Sequence, residues 1–166
     1  MNTSKSYFNT SIAVLLMMVT VPFTAHSQHT REEMLLKLEF LTGDWIGTAT
    51  TLKNNSIISS NPAFEKIEYK LDKNILTIDL HSEPLQLHTI IYYDENDQSY
   101  YYNPFYKTGA ATYPAQFVNG KLIVNPSNTK RFIFELTIEG KFREYGEQLI
   151  DGTWQVYFED TFVKND

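Results

Sequence analysis

The 166-residue sequence contains no cysteine. Disulfides and a cysteine-linked lipid anchor are therefore excluded, and any exported domain must hold together through its core alone. Histidine is scarce as well. After His26 only His29, His81 and His88 remain, and the last two fall on different predicted strands without a metal-ligand motif. A basic excess is also missing: 14 Lys and Arg stand against 20 Asp and Glu, for a net charge of −6. That balance argues against nucleic acid and against an anionic membrane surface as partners. The one long apolar run, Ile12 to Val21, is about half the ~20 residues of a membrane-spanning helix. Catalytic signatures are absent too, with no Gly-x-Ser-x-Gly elbow and no Gly-rich phosphate loop after a strand. Glu144 and Glu147 lie three apart on one predicted strand, and Glu159 and Asp160 are adjacent, so each pair diverges to opposite faces. The chain reads as a protein that is not an enzyme.

The apolar run has a different meaning. Lys5 precedes it, and Pro22 and then Ala25-His26-Ser27 come after it, which is the layout of a secretory signal peptide over residues 1–27 cleaved near Ser27-Gln28. The expectation is an exported protein, periplasmic or secreted, with no membrane span after cleavage. Residues 28–166 then amount to one ordinary domain.

Within that domain, Thr30-Arg31-Glu32-Glu33 has the form of a capping box. Met34, Leu35, Leu38 and Leu41 recur at helical spacing. This predicts a helix of about ten residues inside 28–42, too short to stand alone in water and so laid over one end of the β-structure beyond it. From Asp44 onward the period is that of strands. The candidates are Asp44–Lys53, Ala63–Leu71, Ile75–Ser82, Leu85–Asp94, Gln98–Phe105, Ala110–Val118, Lys121–Asn125, Thr129–Ile138, Lys141–Ile150 and Thr153–Lys164. Asn119-Gly120, Glu139-Gly140 and Asp151-Gly152 are tight-turn signals between apolar runs. Connections this short cannot carry a parallel crossover, so sequence neighbours are antiparallel neighbours in space. The predicted fold is all-β: a closed antiparallel up-and-down barrel of about ten strands over 43–166, with the short N-terminal helix capping one end. Lys53 to Ala63 and Tyr106 to Ala110 are the least patterned connections and the candidate lids.

Alternation assigns the faces. Tyr113, Ala115, Phe117, Leu122 and Val124 share one, brought together by the Asn119-Gly120 turn. Phe132, Phe134, Leu136 and Ile138 share another. Trp154, Val156, Phe158, Asp160 and Phe162 form one face of the last strand, and His88 shares a face with Ile90 and Tyr92. The strand between has two phases open. Three-residue turns with a glycine bulge send Phe142, Glu144, Gly146, Gln148 and Ile150 inward, the less charged set; two-residue turns send Lys141, Arg143, Tyr145, Glu147 and Leu149. Either phase aims a carboxylate, Glu144 or Glu147, at an aromatic interior, where it needs a donor or water.

The Leu-x-x-Leu-x-Gly-x-Trp-x-Gly pattern of Leu38 to Gly47 resembles the entry of calycin-type barrels. The ending, from Gly140-Lys141-Phe142-Arg143-Glu144-Tyr145-Gly146-Glu147 through Asp151-Gly152-Thr153-Trp154 to Tyr157–Lys164, is similar to an uncharacterised lipocalin-like family of bacterial barrel proteins. The resemblance covers nearly all of 38–164, with only the two ends specific. It implies a single barrel holding a small apolar ligand, and it brings no assigned activity. Lipocalins add a helix after the barrel, which is missing here, and usually set an Arg across the first Trp, for which Lys164 is the available substitute. Haem-binding nitrobindin-type barrels share Gly-x-Trp-x-Gly but use a His near the C-terminus; none exists here, and no cofactor is expected.

Two functional readings compete. In the first, the barrel binds a small hydrophobic or aromatic molecule, which the 11 Tyr and 11 Phe would suit. Trp45 and Trp154 wall the cavity beside Phe158, and Tyr69, His88, Tyr102 and Glu144 supply its few polar groups. In the second, the barrel is filled and binds a protein or envelope polymer on its outside, through the outward part of Tyr100-Tyr101-Tyr102.

Overall fold

The structure, a computed structural model, describes residues 29–165. The predicted signal segment and its cleavage site lie outside the described residues. A helix α1 (Arg31–Leu36) and a 3-10 turn (Glu39–Leu41) lead into β1 (Gly43–Lys53), β2 (Ser56–Lys70), β3 (Ile75–Ser82), β4 (Gln86–Asp94) and β5 (Ser99–Tyr106). Beyond these come β6 (Gly109–Ala110), β7 (Tyr113–Val118), β8 (Lys121–Ser127), β9 (Lys130–Leu136), β10 (Phe142–Ile150) and β11 (Thr153–Lys164). Every pairing among them is antiparallel. The ring closes because β1 lies between β2 and β11, with Trp45 opposite Lys164 and Thr51 opposite Phe158. Ten strands make the barrel, and the two-residue β6 folds back on the end of β5. Closure leaves the ring without a free edge.

The helical segment plugs one end. Its capping box forms as predicted: Thr30 Oγ1 accepts from the Glu33 N–H at 3.3 Å, and the Thr30 N–H donates to the Glu33 carboxylate at 3.1 Å. The α-helix is shorter than expected and gives way to the 3-10 turn, which brings Leu35, Leu38 and Leu41 together as fully buried side chains. Barrel tyrosines hold it there. The Tyr69 hydroxyl donates to the Leu35 carbonyl at 2.9 Å and the Tyr100 hydroxyl to the Met34 carbonyl at 2.6 Å. The Trp45 indole N–H donates to the Leu41 carbonyl at 2.8 Å. Carbonyls left over at the end of a short helix thus find donors in the barrel wall. Below the plug, Trp45, Phe134, Phe142 and Phe162 pack as one aromatic layer, with Trp45 and Phe142 centroids 5.4 Å apart and Phe142 and Phe162 5.5 Å apart. Gly47 permits this: a Cβ there would run into the Thr161 carbonyl and the Phe162 main chain on β11. The Lys164 ammonium lies 5.7 Å from the Trp45 ring centroid, the place expected of it.

Three expectations need correction. Residues 53–63 are not an irregular loop. Asn54 and Asn55 adopt positive φ (51° and 60°) in a two-residue turn, and β2 starts at Ser56. Asn tolerates that backbone because its short polar side chain bonds locally. The hairpin projects beyond the barrel, so it has no core to impose an apolar alternation, and Ile57 and Ile58 stay exposed. Likewise, residues 106–110 belong to a hairpin in which Phe105 pairs with Ala110 and Tyr106 with Gly109. Finally, the inward face of Phe134 does not reach Ile138: Leu136 pairs with the inward Phe142 but is exposed where β9 ends, and Ile138 lies beyond the strand, fully exposed.

The open phase of β10 resolves as Phe142, Glu144 and Gly146 inward, while Glu147 faces out and accepts from Arg131 Nε at 2.5 Å. The cause differs in part from the one expected. Asp151-Gly152 is a two-residue turn, with Ile150 opposite Thr153, and the phase is restored within β11. There Tyr157 is an extra residue, since Gly146 pairs with Phe158 and Glu147 with Val156. A bulge of this kind flips every side chain before it relative to those after it.

Candidate ligand-binding site

The half of the barrel away from the helix is hollow. A cavity of about 320 Å³ opens at the ends of β1, β3, β5 and β10 and the starts of β2, β4, β9 and β11. Its apolar wall includes Leu80, Leu87, Phe132 and Phe158, and its polar groups include Thr50, Tyr102, Tyr157, Glu144 and Asp160. Gly146 makes room for this wall, since a Cβ there would meet the Phe158 ring and come within 2.8 Å of the Tyr157 ring. Among the described residues no Lys, Arg or His lines the cavity.

Carboxyl groups gather on its inner side. Glu144 and Asp160 stand directly opposite one another on β10 and β11, and both are buried. Glu65, on β2, is completely buried, and neither of its carboxyl oxygens receives a hydrogen bond among the described residues. A proton shared with Glu144 is the bond left to it. Burial, then the charge of Asp160, pushes Glu65 up to about 8 from its ordinary 4.5. Burial, then the charges of Glu65 and Asp160, holds Glu144 well above the carboxylate range. Asp160 is raised to about 7 by burial, against the Thr50 N–H that donates to its Oδ1 at 3.2 Å. Tyr102 is buried beside them; its oxygen accepts from the buried Thr89 hydroxyl at 3.3 Å, and burial with the Glu144 charge keeps it protonated. Among the described residues no group of His, Asp and Glu is arranged to hold a metal ion.

No family model and no curated protein sequence matches the chain. Solved structures do. The zebrafish ileal bile acid-binding protein, solved in complex with cholic acid, matches with a TM-score of 0.52 at 10% identity, over 76% of this chain and 99% of that one. The two chains share a closed antiparallel β-barrel fold. At that identity the likeness speaks for the fold alone, and it agrees with the ten-stranded ring traced above.

The barrel brings together only part of the predicted site. Tyr102, Glu144 and Phe158 line the cavity. Trp45 and Tyr69 face inward but belong to the plugged end, tied to the helical segment by the bonds already described. His88 faces out: β4 buries Thr89, Ile91 and Tyr93, and His88 meets Asp79 of β3 at 2.6 Å on the outer surface. Its strand carries apolar residues on both faces, so alternation alone pointed the wrong way. Trp154 also faces out, with the Arg131 guanidinium 4.3 Å from its ring centroid, because it precedes the Tyr157 bulge. Glu65 is the residue that sequence reasoning missed. Its parity with Ala63, Ile67 and Tyr69 on β2 was the available signal.

Proposed function

We propose that the protein is an exported carrier that binds a small hydrophobic or aromatic molecule inside the open half of its barrel. One observation carries this reading: the aromatic-walled cavity of about 320 Å³ with Tyr102, Glu144 and Phe158 converging on it. A barrel filled from end to end would have favoured the outside-binding alternative. Apolar walls supply affinity and a few convergent polar groups fix orientation. The bile acid-binding neighbour, solved with cholic acid in complex, supports a small hydrophobic partner in kind. Export rests on the sequence of residues 1–27. The reading is that of a binding protein and not an enzyme.

Native mass spectrometry of the protein isolated from its own host is the direct test. A small molecule retained on the folded chain is the expected result, and a uniformly ligand-free mass would overturn the reading. The outside-binding alternative keeps one foothold in the stacked outer pair Tyr92 and Tyr101, 5.3 Å apart. If it held, Tyr101→Ser would weaken a pull-down partner and leave small-molecule binding alone.

A further inference from the structure

The inner side of the cavity concentrates acid without a counter-charge. Nearby basic side chains spend theirs on the outer surface: Arg143 bridges Glu135 and Glu159 at 2.9 and 2.5 Å, Lys121 also meets Glu135, and Arg131 meets Glu147. Inside, Glu144 and Asp160 face one another across neighbouring strands, and Glu65 lies against both with no donor group supplied to its oxygens among the described residues other than the proton it can share with Glu144. Burying three carboxyl groups in an aromatic interior is costly unless a donor arrives to meet them.

We propose that the ligand of this cavity carries an amine, bound as its ammonium between Glu144 and Asp160 with Glu65 behind them, and packs its apolar body against Phe132 and Phe158. The proposal rests on the carrier reading and names the chemistry of the bound molecule. An ammonium has three donors and no acceptor, which suits two facing carboxylates backed by a third. The π faces of surrounding rings add attraction for a cation. A carboxylate headgroup would meet three acids and no cation. A neutral hydroxyl would leave most of the acidic oxygens unmatched.

Protons must move when such a ligand binds. The groups facing Glu144 are Glu65 from β2, Asp160 and Tyr157 from β11, and Tyr102 and Tyr106 from β5. Burial keeps Tyr102, Tyr106 and Tyr157 neutral, so the carboxyl groups are the proton source. Near neutrality Glu65 and Glu144 hold their protons and Asp160 is about half protonated before the ligand arrives, and the protonated groups ionise on meeting the cation. Binding therefore releases protons and strengthens as pH rises toward about 8.

Isothermal titration of the full chain, stripped of endogenous ligand, with phenethylamine, 2-phenylethanol and phenylacetate is the test. The amine is expected to bind at least about tenfold tighter than the alcohol, as charge-assisted hydrogen bonds would give, with phenylacetate weakest. Its heat should differ between phosphate and Tris buffers by the enthalpy of the released protons. Glu144→Gln, isosteric with the protonated acid, should bring amine and alcohol affinities within about threefold of each other. Equal or tighter binding of the alcohol, or buffer-independent heat, overturns the amine proposal and leaves the carrier reading standing. Failure of all three probes, together with a ligand-free mass from the host, overturns both.

Discussion

Burying Glu65 without a donor is unfavourable only while the group is ionised, so its effect on the fold depends on pH. In the unfolded chain it titrates at about 4.5 and in the folded barrel at about 8. Between those values the unfolded state sheds the proton first. Stability is therefore fully present below about 4.5 and is lost as pH rises through about 8. Glu144 and Asp160 are shifted the same way and reinforce the trend. Counting only half of the Glu65 shift gives about 2 kcal/mol, at ~1.4 kcal/mol per unit. The midpoint of thermal unfolding should fall by several degrees between pH 5 and 8, and Glu65→Gln should flatten that slope, as circular dichroism would show. An unchanged slope would mean that Glu65 is solvated in the folded state. Gly146→Ala makes a second prediction at this scale. The new methyl meets the Phe158 ring, so the variant should lose about 1–3 kcal/mol in urea unfolding and bind ligand more weakly. Of the acids, Glu144 was legible because it belongs to the less charged of the two inward sets its strand could present. The pairing of Glu144 with Asp160 was not, because it depends on a register that a bulge resets.

Elements were easier to read than faces. The Asn119-Gly120 and Asp151-Gly152 turns carry their chemistry in two residues, and both adopt positive φ throughout (52° and 79°, 49° and 77°). The start of β2 carries no such mark. A strand that faces solvent on both sides has no reason to alternate, and Ser59, Ser60 and Asn61 look like loop. The Tyr157 bulge is also silent: one extra residue changes no composition, yet it turns Trp154 from the interior to the surface. The helical segment acts as a plug, and its contribution can be measured apart from the cavity. Leu38→Ala, at a fully buried position, should cost about 2–5 kcal/mol in denaturant unfolding. Thr30→Ala should cost about 1 kcal/mol through the lost cap. Neither should change the affinity of a bound molecule, since the plug lies at the other end; a parallel loss of affinity in Leu38→Ala would show that the two halves are coupled.

At the scale of the molecule, the ring divides into a solid half and a hollow half that share the same strands. The solid half, from the plug to the aromatic layer of Trp45, Phe142 and Phe162, supplies the burial that a cysteine-free domain needs. The hollow half can then keep unmatched carboxyl groups and open volume, because stability does not depend on filling it. This division predicts what happens when the cavity is filled by the protein itself. Ala49 on β1 lines the cavity beside Asp160, and both neighbours in register, Asn61 and Asp160, belong to the open half. Ala49→Trp should place an indole in the space the ligand occupies. Its thermal midpoint should match or exceed the wild type, since apolar surface is buried where none was, at ~25 cal/mol per Å². The mass of any molecule retained from the host should vanish from the native spectrum. If instead Ala49→Trp unfolds at a much lower temperature, the open half is part of the core after all. If it folds and still carries the molecule, the ligand sits elsewhere on the barrel, and the outer Tyr92–Tyr101 pair becomes the next place to look.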